Sequence, residues 1–483
     1  MSETIKNKFF SGLAWTFIQN VAVKVFSFVF TVILTRILSP NEYGLIGMLA
    51  IFIAVSEVFA LSGFGDALIQ KKDCNDDDFS TAFYFNVTIS LSIYLLLFFL
   101  APFIANFYHE PKLVTLTRVL SLNIVLGSFN FVQQSILSRA MNFKPLALIS
   151  LVCTVISGLV GVSLAYFGFG VWALVAQTLS SNLVRVIVFP LCTKWHPNRP
   201  FNRESFHYLW NYGSKIIVTG LVSVTVQNLS SILIGRFYNK EQVGYFERSR
   251  SLATLPSDII FCVLSSVSFP VLCEFQDDNK RWLNVYRKIL FNTVLVVFPL
   301  IILLALLAKP IIIILFTEKW ATCIPLFQAL LLARMFMPIV ATHTSLLRSV
   351  GDTTLYMKLF LLTGPLSLLA VIISIPFGVV AMARATLMGS FLGYLIPAFV
   401  IGRKFGYPLH KQLYDWRHIL LSLLIMGTCV LTVIHFITNL WVQLIIGGFV
   451  GLGVFLLCCW LFKLIDDDLI NLLKSKLNNR WEA

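Results

Sequence analysis

Charge is scarce in this sequence. Only 12% of the 483 residues are Asp, Glu, Lys or Arg, whereas 58% are hydrophobic, a balance that exposes too much apolar surface for a water-soluble chain of this length. The polar breaks are short, which leaves no room for a sizeable soluble domain. Patterns that carry enzyme chemistry are missing as well. There is no Gly-x-Ser-x-Gly nucleophile elbow, no phosphate-binding loop and no pair of His at metal spacing, the seven His being scattered and mostly in loops. A non-enzyme is therefore expected, and any transport must run on a gradient, an exchange or consumption of the product downstream. The nine Cys show no metal or redox spacing. Cys153, Cys192, Cys262, Cys429, Cys458 and Cys459 fall in or at apolar spans and read as inert packing groups. No nucleic-acid module is recognisable, so no cofactor and no nucleic-acid partner are expected.

What is present is a long series of apolar runs. A hydrocarbon core takes about 20 residues of helix per crossing. Runs of that length recur near 12–35, 43–69, 79–105, 113–137, 146–166, 171–192, 209–234, 251–273, 285–307, 322–346, 357–376, 379–401, 418–437 and 440–462. They predict an all-α integral membrane protein with about fourteen transmembrane helices. The first run contains Gln19, Asn20 and Lys24 and lacks a small-residue cleavage site, so it reads as a retained span and not a removable signal. With a cytosolic N-terminus, most Lys and Arg fall in segments facing the cytosol, from Lys6 and Lys8 through Lys71, Lys72, Arg139, Arg199 and Arg203 to the C-terminal tail. An even number of spans then puts both termini in the cytosol. The net charge of +14 is on this account a topology signal and a match to anionic lipid headgroups.

The chain repeats itself. Thr35-Arg36-Ile37-Leu38-Ser39-Pro40-Asn41-Glu42-Tyr43-Gly44 follows the first span, and Gly235-Arg236-Phe237-Tyr238-Asn239-Lys240-Glu241-Gln242-Val243-Gly244 follows the seventh, with Arg and Gly recurring at an offset of 200. A second echo pairs Ser135-Ile136-Leu137-Ser138-Arg139 with Ser345-Leu346-Leu347-Arg348. Halves of six spans each share an orientation, so the repeat predicts two six-helix bundles related by a pseudo-two-fold along the membrane normal, plus two C-terminal helices. The expected division is 1–206, 207–404 and 405–483. The basic, Pro-rich stretch from Lys194 to Arg203 reads as the linker between halves. The runs Asp76-Asp77-Asp78 and Asp466-Asp467-Asp468 read as solvated helix caps, not metal sites.

Charges at bilayer depth are costly and become functional candidates by default. Lys24 lies near the middle of span one, Glu57 near the middle of span two, Asp258 in the first third of span eight and Arg334 in span ten. Arg185 and Lys215 lie toward helix ends, where snorkelling explains them equally well. Glu57 and Asp258 occupy matching places on the second helix of each half. They read either as a cation or proton site, as counter-ions for Lys24 and Arg334, or as a structural ion pair. Arg248 and Arg250 open span eight and, with Lys24, Arg334 and Arg384, form either a positive lining for an anionic substrate or a set of interface anchors.

The stretches Leu38-Ser39-Pro40-Asn41-Glu42-Tyr43-Gly44-Leu45-Ile46-Gly47-Met48, Gly63-Phe64-Gly65-Asp66-Ala67-Leu68-Ile69-Gln70, Ser138-Arg139-Ala140-Met141-Asn142-Phe143-Lys144 and Gly168-Phe169-Gly170-Val171-Trp172-Ala173-Leu174-Val175, in this order, resemble the polysaccharide transporter family. The nearest branch is the Wzx-type flippases of the colanic-acid kind, in the superfamily that also holds the MATE drug exporters and the lipid II flippase MurJ. The resemblance implies two six-helix bundles around a central cleft that opens alternately to each side. It implies as substrate an undecaprenyl-diphosphate-linked oligosaccharide made on the cytosolic face and delivered outward for O-antigen, capsule or exopolysaccharide, with membrane lipids and polysaccharide polymerase machinery as partners. The diphosphate would meet the cleft cations while the prenyl tail stays in lipid. Relatives often carry an acid two residues after the Asn of span seven, whereas here Asn228 is followed by Leu229 and Ser230. Two rivals stand beside this reading. A MATE-like exporter of organic cations should have an acid in span one, where Lys24 stands instead; a membrane glycosyltransferase or polymerase should have a large outward loop, and the outward loops are short.

Overall fold

In hydrocarbon a backbone amide finds no water, so each apolar run must close its hydrogen bonds internally, as a helix. The computed structural model describes residues 21–464 apart from 62, 276 and 277, and among the described residues it is helical throughout, without strands. Residues 21–37 form α1. There follow α2 (Pro40–Leu61), α3 (Phe64–Gln70), α4 (Asp76–Tyr108), α5 (Lys112–Leu120), α6 (Leu122–Arg139), α7 (Phe143–Tyr166), α8 (Val171–Thr193) and α9 (Arg203–Phe237). The chain continues through α10 (Lys240–Glu274), α11 (Asn279–Leu306), α12 (Ala308–Phe316), α13 (Cys323–Arg334), α14 (Met337–Ser349), α15 (Thr353–Ile373), α16 (Val379–Phe405), α17 (Leu409–Phe436) and α18 (Leu440–Leu461). Among the described residues, 12 helical segments are long and apolar enough to cross a membrane, against the expected fourteen. Of the other two expected spans, the first begins outside the described residues. The other coincides with α10, whose helix contains Glu241, Glu247, Arg248, Arg250 and Asp258. Phe99 and Phe103, each 71% exposed, are typical of side chains turned outward on these helices.

Helix ends explain several of the sequence motifs. Ser39 stands before α2 with Pro40 at the first helical position, and the Glu42 carboxylate reaches back to accept from the Ser39 amide at 2.6 Å and its hydroxyl at 2.9 Å. That is the return arm of a capping box, and it accounts for Ser-Pro-x-Glu. Asn75 and Asp78 make a full capping box at the start of α4. Asp78 also receives Lys71 at 2.7 Å and is fully buried. The Asp76-Asp77-Asp78 run is thus a cap, but its third carboxylate is enclosed rather than solvated, because Lys71, the Asn75 amide and the Ser205 hydroxyl take the place of water. The Asp466-Asp467-Asp468 run lies outside the described residues.

Besides the span that divides into α2 and α3 at Gly63, two spans are broken. Residues 112–139 divide into α5 and α6 at Ser121, and residues 323–349 divide into α13 and α14 before Pro338. These are the spans that carry the second sequence echo. His343 is buried inside α14, edge-on to Tyr286 and Tyr394.

The chain folds as two compact units, residues 1–247 and 248–483, and the division falls within α10. In the first, α8 packs on α6 and α7, α2 packs on α9, and α4 packs on α6. Its core joins Phe64, Leu68, Phe131, Val132 and Leu209. The basic linker lies along the start of α4, where the Asn202 amide donates to Thr81 Oγ1 at 3.0 Å and Trp195 meets Phe79 and Phe83 edge-on. In the second unit α16 packs on α13 and α15, and α17 packs on α11 and α18. The two C-terminal helices are integral to this unit: Gly447 and Gly451 sit directly on Leu307 and Leu303, and Arg287 pairs with Asp415 at 2.9 Å.

Candidate functional site

Between α2, α3, α6, α8 and α9, inside the first unit, lies a cavity of about 530 Å3, within the usual size range of small-molecule sites. Its wall, apolar for the larger part, is set with polar and charged groups. Glu57 on α2 and Asp66 on α3 supply carboxylates, Arg185 on α8 a guanidinium, and Asn123, Asn130, Gln134 and Asn182 supply amides.

Backbone geometry places these groups. Gly63 turns the chain between α2 and α3 at φ 64°, and a Cβ there would stand 2.9 Å from Ile216 and 3.0 Å from Gly213 of α9. Glycine answers both demands, a left-handed turn and a close helix neighbour. Phe64, fully buried, and Leu68 anchor α3 in the core, which leaves Asp66 between them on the cavity side. The far end of α3 is held by Arg139: its guanidinium donates to the carbonyls of Leu68 at 2.7 Å, Lys71, and Lys72 at 2.5 Å. This explains Arg139 in its motif, since a forked donor satisfies several carbonyls that a helix end leaves open. Ser135 and Ser138 from the same motif line the cavity. Across it, Asn182 Nδ2 donates to Asn123 Oδ1 at 2.7 Å and fixes α8 against α6.

The chemistry of such a wall is many-sided hydrogen bonding. Amides and hydroxyls both donate and accept, the carboxylates accept from hydroxyls, and Arg185 suits an anionic oxygen. These are the groups that a hydroxyl-rich polar molecule requires. Among the described residues no cluster of His, Cys, Asp and Glu is arranged to hold a metal ion.

Of the residues singled out by charge, Glu57 lines this cavity, as does Arg185, which snorkelling explained equally well. Lys24 lies half-buried on α1 and is not part of the cavity wall. Asp258, Arg250 and Arg334 come together in the second unit, where Arg334 feels both the Asp258 carboxylate and the Arg250 guanidinium. Arg334 also reaches Met337 Sδ at 3.1 Å. Arg248 is half-buried at the head of that stretch, and Arg384 is exposed near the start of α16. Reading by charge passes over the amides. The signal that would have found them is Asn123, Asn130 and Gln134 on one apolar span.

Comparison with known proteins agrees with this architecture. The family model described as polysaccharide biosynthesis protein matches residues 33–325. The chain is 25% identical over 354 residues to the teichuronic acid biosynthesis protein TuaB of Bacillus subtilis, covering 73% of each chain. It is 25% identical over 341 residues to the succinoglycan biosynthesis transport protein ExoT of Rhizobium meliloti, covering 71% of this chain and 69% of that one. Among solved structures, the lipid II flippase MurJ in an inward closed conformation superposes with a TM-score of 0.76 at 18% identity, over 95% of this chain and 100% of that one. An inward-facing MATE-family multidrug transporter gives 0.61 at 15% identity, over 79% and 94%. The fold is shared with both, and the chain belongs to the polysaccharide biosynthesis protein family.

Proposed function

We propose that the protein carries a lipid-linked oligosaccharide across the bacterial inner membrane by alternating access, from the cytosolic to the periplasmic leaflet, for surface polysaccharide assembly. The observation that carries this reading is the cavity, whose lining sets amides, hydroxyls, two carboxylates and a guanidinium among apolar helices. Polar groups at bilayer depth are expensive unless they serve a polar ligand or one another, and a saccharide offers many hydroxyls to such a wall. Family membership and the names of TuaB and ExoT, both concerned with polysaccharides, support the same substrate class. In this reading the carrier is undecaprenyl diphosphate, whose tail remains in lipid while its phosphates are met by cations drawn from Lys24, Arg248, Arg250, Arg334 and Arg384. Both termini face the cytosol, and a polymerase takes up the delivered unit. Glu57 and Asp258 serve as counter-charges or coupling acids.

The test is deletion in the native host, followed by analysis of lipid-linked saccharides in spheroplasts. Accumulation of one such intermediate, shielded from impermeant reagents and released by the restored protein, is the expected result. Unchanged lipid pools with normal surface polysaccharide would contradict it. A second reading draws on Glu57 and Asp66 in the same wall, which also suit an organic cation. That reading predicts raised dye retention on deletion with no change in lipid-linked saccharide.

A further inference from the structure

Gly63, Gly65, Gly127 and Gly220 all line the cavity. Three of them answer to the protein's own packing. A Cβ would stand 2.9 Å from Ile216 at Gly63, 3.0 Å from Phe131 at Gly65 and 2.9 Å from Val58 at Gly220. Gly127 has no such neighbour: among the described residues, no atom lies within 4 Å of where its Cβ would stand. The backbone does not call for glycine either, since Gly127 lies inside α6 without a positive φ. Glycine inside a helix is less stable than alanine, because its backbone loses more freedom on folding. Neither packing nor conformation offsets that loss, which leaves the space in front of Gly127 as its use.

That space has polar edges. Asn123, Gly127, Asn130 and Gln134 recur at i, i+4, i+7 and i+11 on α6 and share the helix face that lines the cavity. Asn123 and Asn130 stand about 10 Å apart along the axis, one on either side of Gly127. Asn130 Nδ2 donates to the Leu126 carbonyl at 3.2 Å, while its Oδ1 is buried and receives no donor among the described residues. An amide oxygen taken out of water without a donor destabilises the fold, and a ligand hydroxyl would supply that donor. On the other edge, the bond from Asn182 Nδ2 to Asn123 Oδ1 at 2.7 Å leaves the Asn123 amide hydrogens and the Asn182 amide oxygen for a ligand. The gap at Gly127 is thus bordered by an acceptor on one side and by a donor and an acceptor on the other.

We infer that Gly127 is the seat of one sugar ring of the cargo, and that its missing side chain fixes the size of ring the protein accepts. This rests on the saccharide-transporter reading above and names the residue that selects within it. The ring's hydroxyls donate to Asn130 Oδ1 and Asn182 Oδ1 and accept from Asn123 Nδ2, a pattern that a hydroxylated ring meets and a hydrocarbon does not. A side chain at residue 127 would occupy the place of the ring.

The test uses the full purified chain in lipid nanodiscs, offered equal amounts of undecaprenyl diphosphate bare and carrying the host oligosaccharide. Native mass spectrometry reads the ratio of the two bound lipids. Wild type should hold the saccharide-bearing lipid at least tenfold over the bare one. Gly127→Leu should erase that preference, with an unfolding temperature no lower than that of wild type. A variant that keeps the preference overturns the inference and leaves the transporter reading intact. A fall in unfolding temperature would mark a packing role and overturn it as well. If wild type itself shows no preference, the saccharide reading fails, and the seat fails with it. Should Gly127→Leu not accumulate in the membrane, Gly127→Ala decides, since its Cβ meets nothing within 4 Å. It should lose the preference severalfold at an undiminished unfolding temperature, and an unchanged preference would overturn the seat.

Discussion

At the scale of single residues, the account turns on groups that are costly in a bilayer. Glu57 was legible in the sequence because a carboxylate stands out among apolar neighbours. The amides beside it were not, since an amide carries no net charge and Asn130 quiets half of its side chain on the Leu126 carbonyl at 3.2 Å. Glu57→Gln keeps the shape of the wall and removes its charge. It should lower transport about tenfold, equivalent to about 1.4 kcal/mol at the limiting step, with membrane levels unchanged. At Lys24, where a point charge needs no fixed fork, Lys24→Arg should transport and Lys24→Ala should not, as measured by complementation of surface polysaccharide. A different residue reports on pH. The hydrogen bond from Lys404, aided by the Leu355 amide, holds the Asp352 carboxyl below the ordinary carboxylate range. Its folded value lies under its unfolded value, so the pair contributes above about pH 4 and is lost as the pH falls through the folded value. The stability gap between wild type and Asp352→Asn in detergent should therefore be present at pH 6 and vanish under strong acid.

At the scale of elements, helix positions were readable from apolar runs, and their breaks were not. The run at 113–137 looks continuous, yet the chain resets at Ser121, and α3 separates from α2 at Gly63. The second break follows from the close approach of α9 to Gly63, a tertiary demand that local composition does not express. The motif arginine became intelligible only in three dimensions, where Arg139 closes α3 across a separation of about 70 residues. Arg139→Ala should lower stability by about 2 kcal/mol through lost charged hydrogen bonds. Arg139→Lys should rescue little of it, because one ammonium does not span three carbonyls; thermal unfolding of the purified protein gives the comparison.

At the scale of the whole molecule, the membrane class and family follow from composition and from motif order, and the fold shared with MurJ agrees with both. The cavity was not legible, since it gathers residues from α2 to α9 that no single run displays. The central claim is movement of a saccharide head from one leaflet to the other. Its most direct measurement is in vesicles that contain purified protein and a lipid-linked oligosaccharide from the host, loaded in the inner leaflet. The fraction of sugar open to an impermeant reagent outside should rise with wild-type protein and stay near the protein-free level with Glu57→Gln. An accessible fraction that does not change when wild-type protein is present would contradict the account.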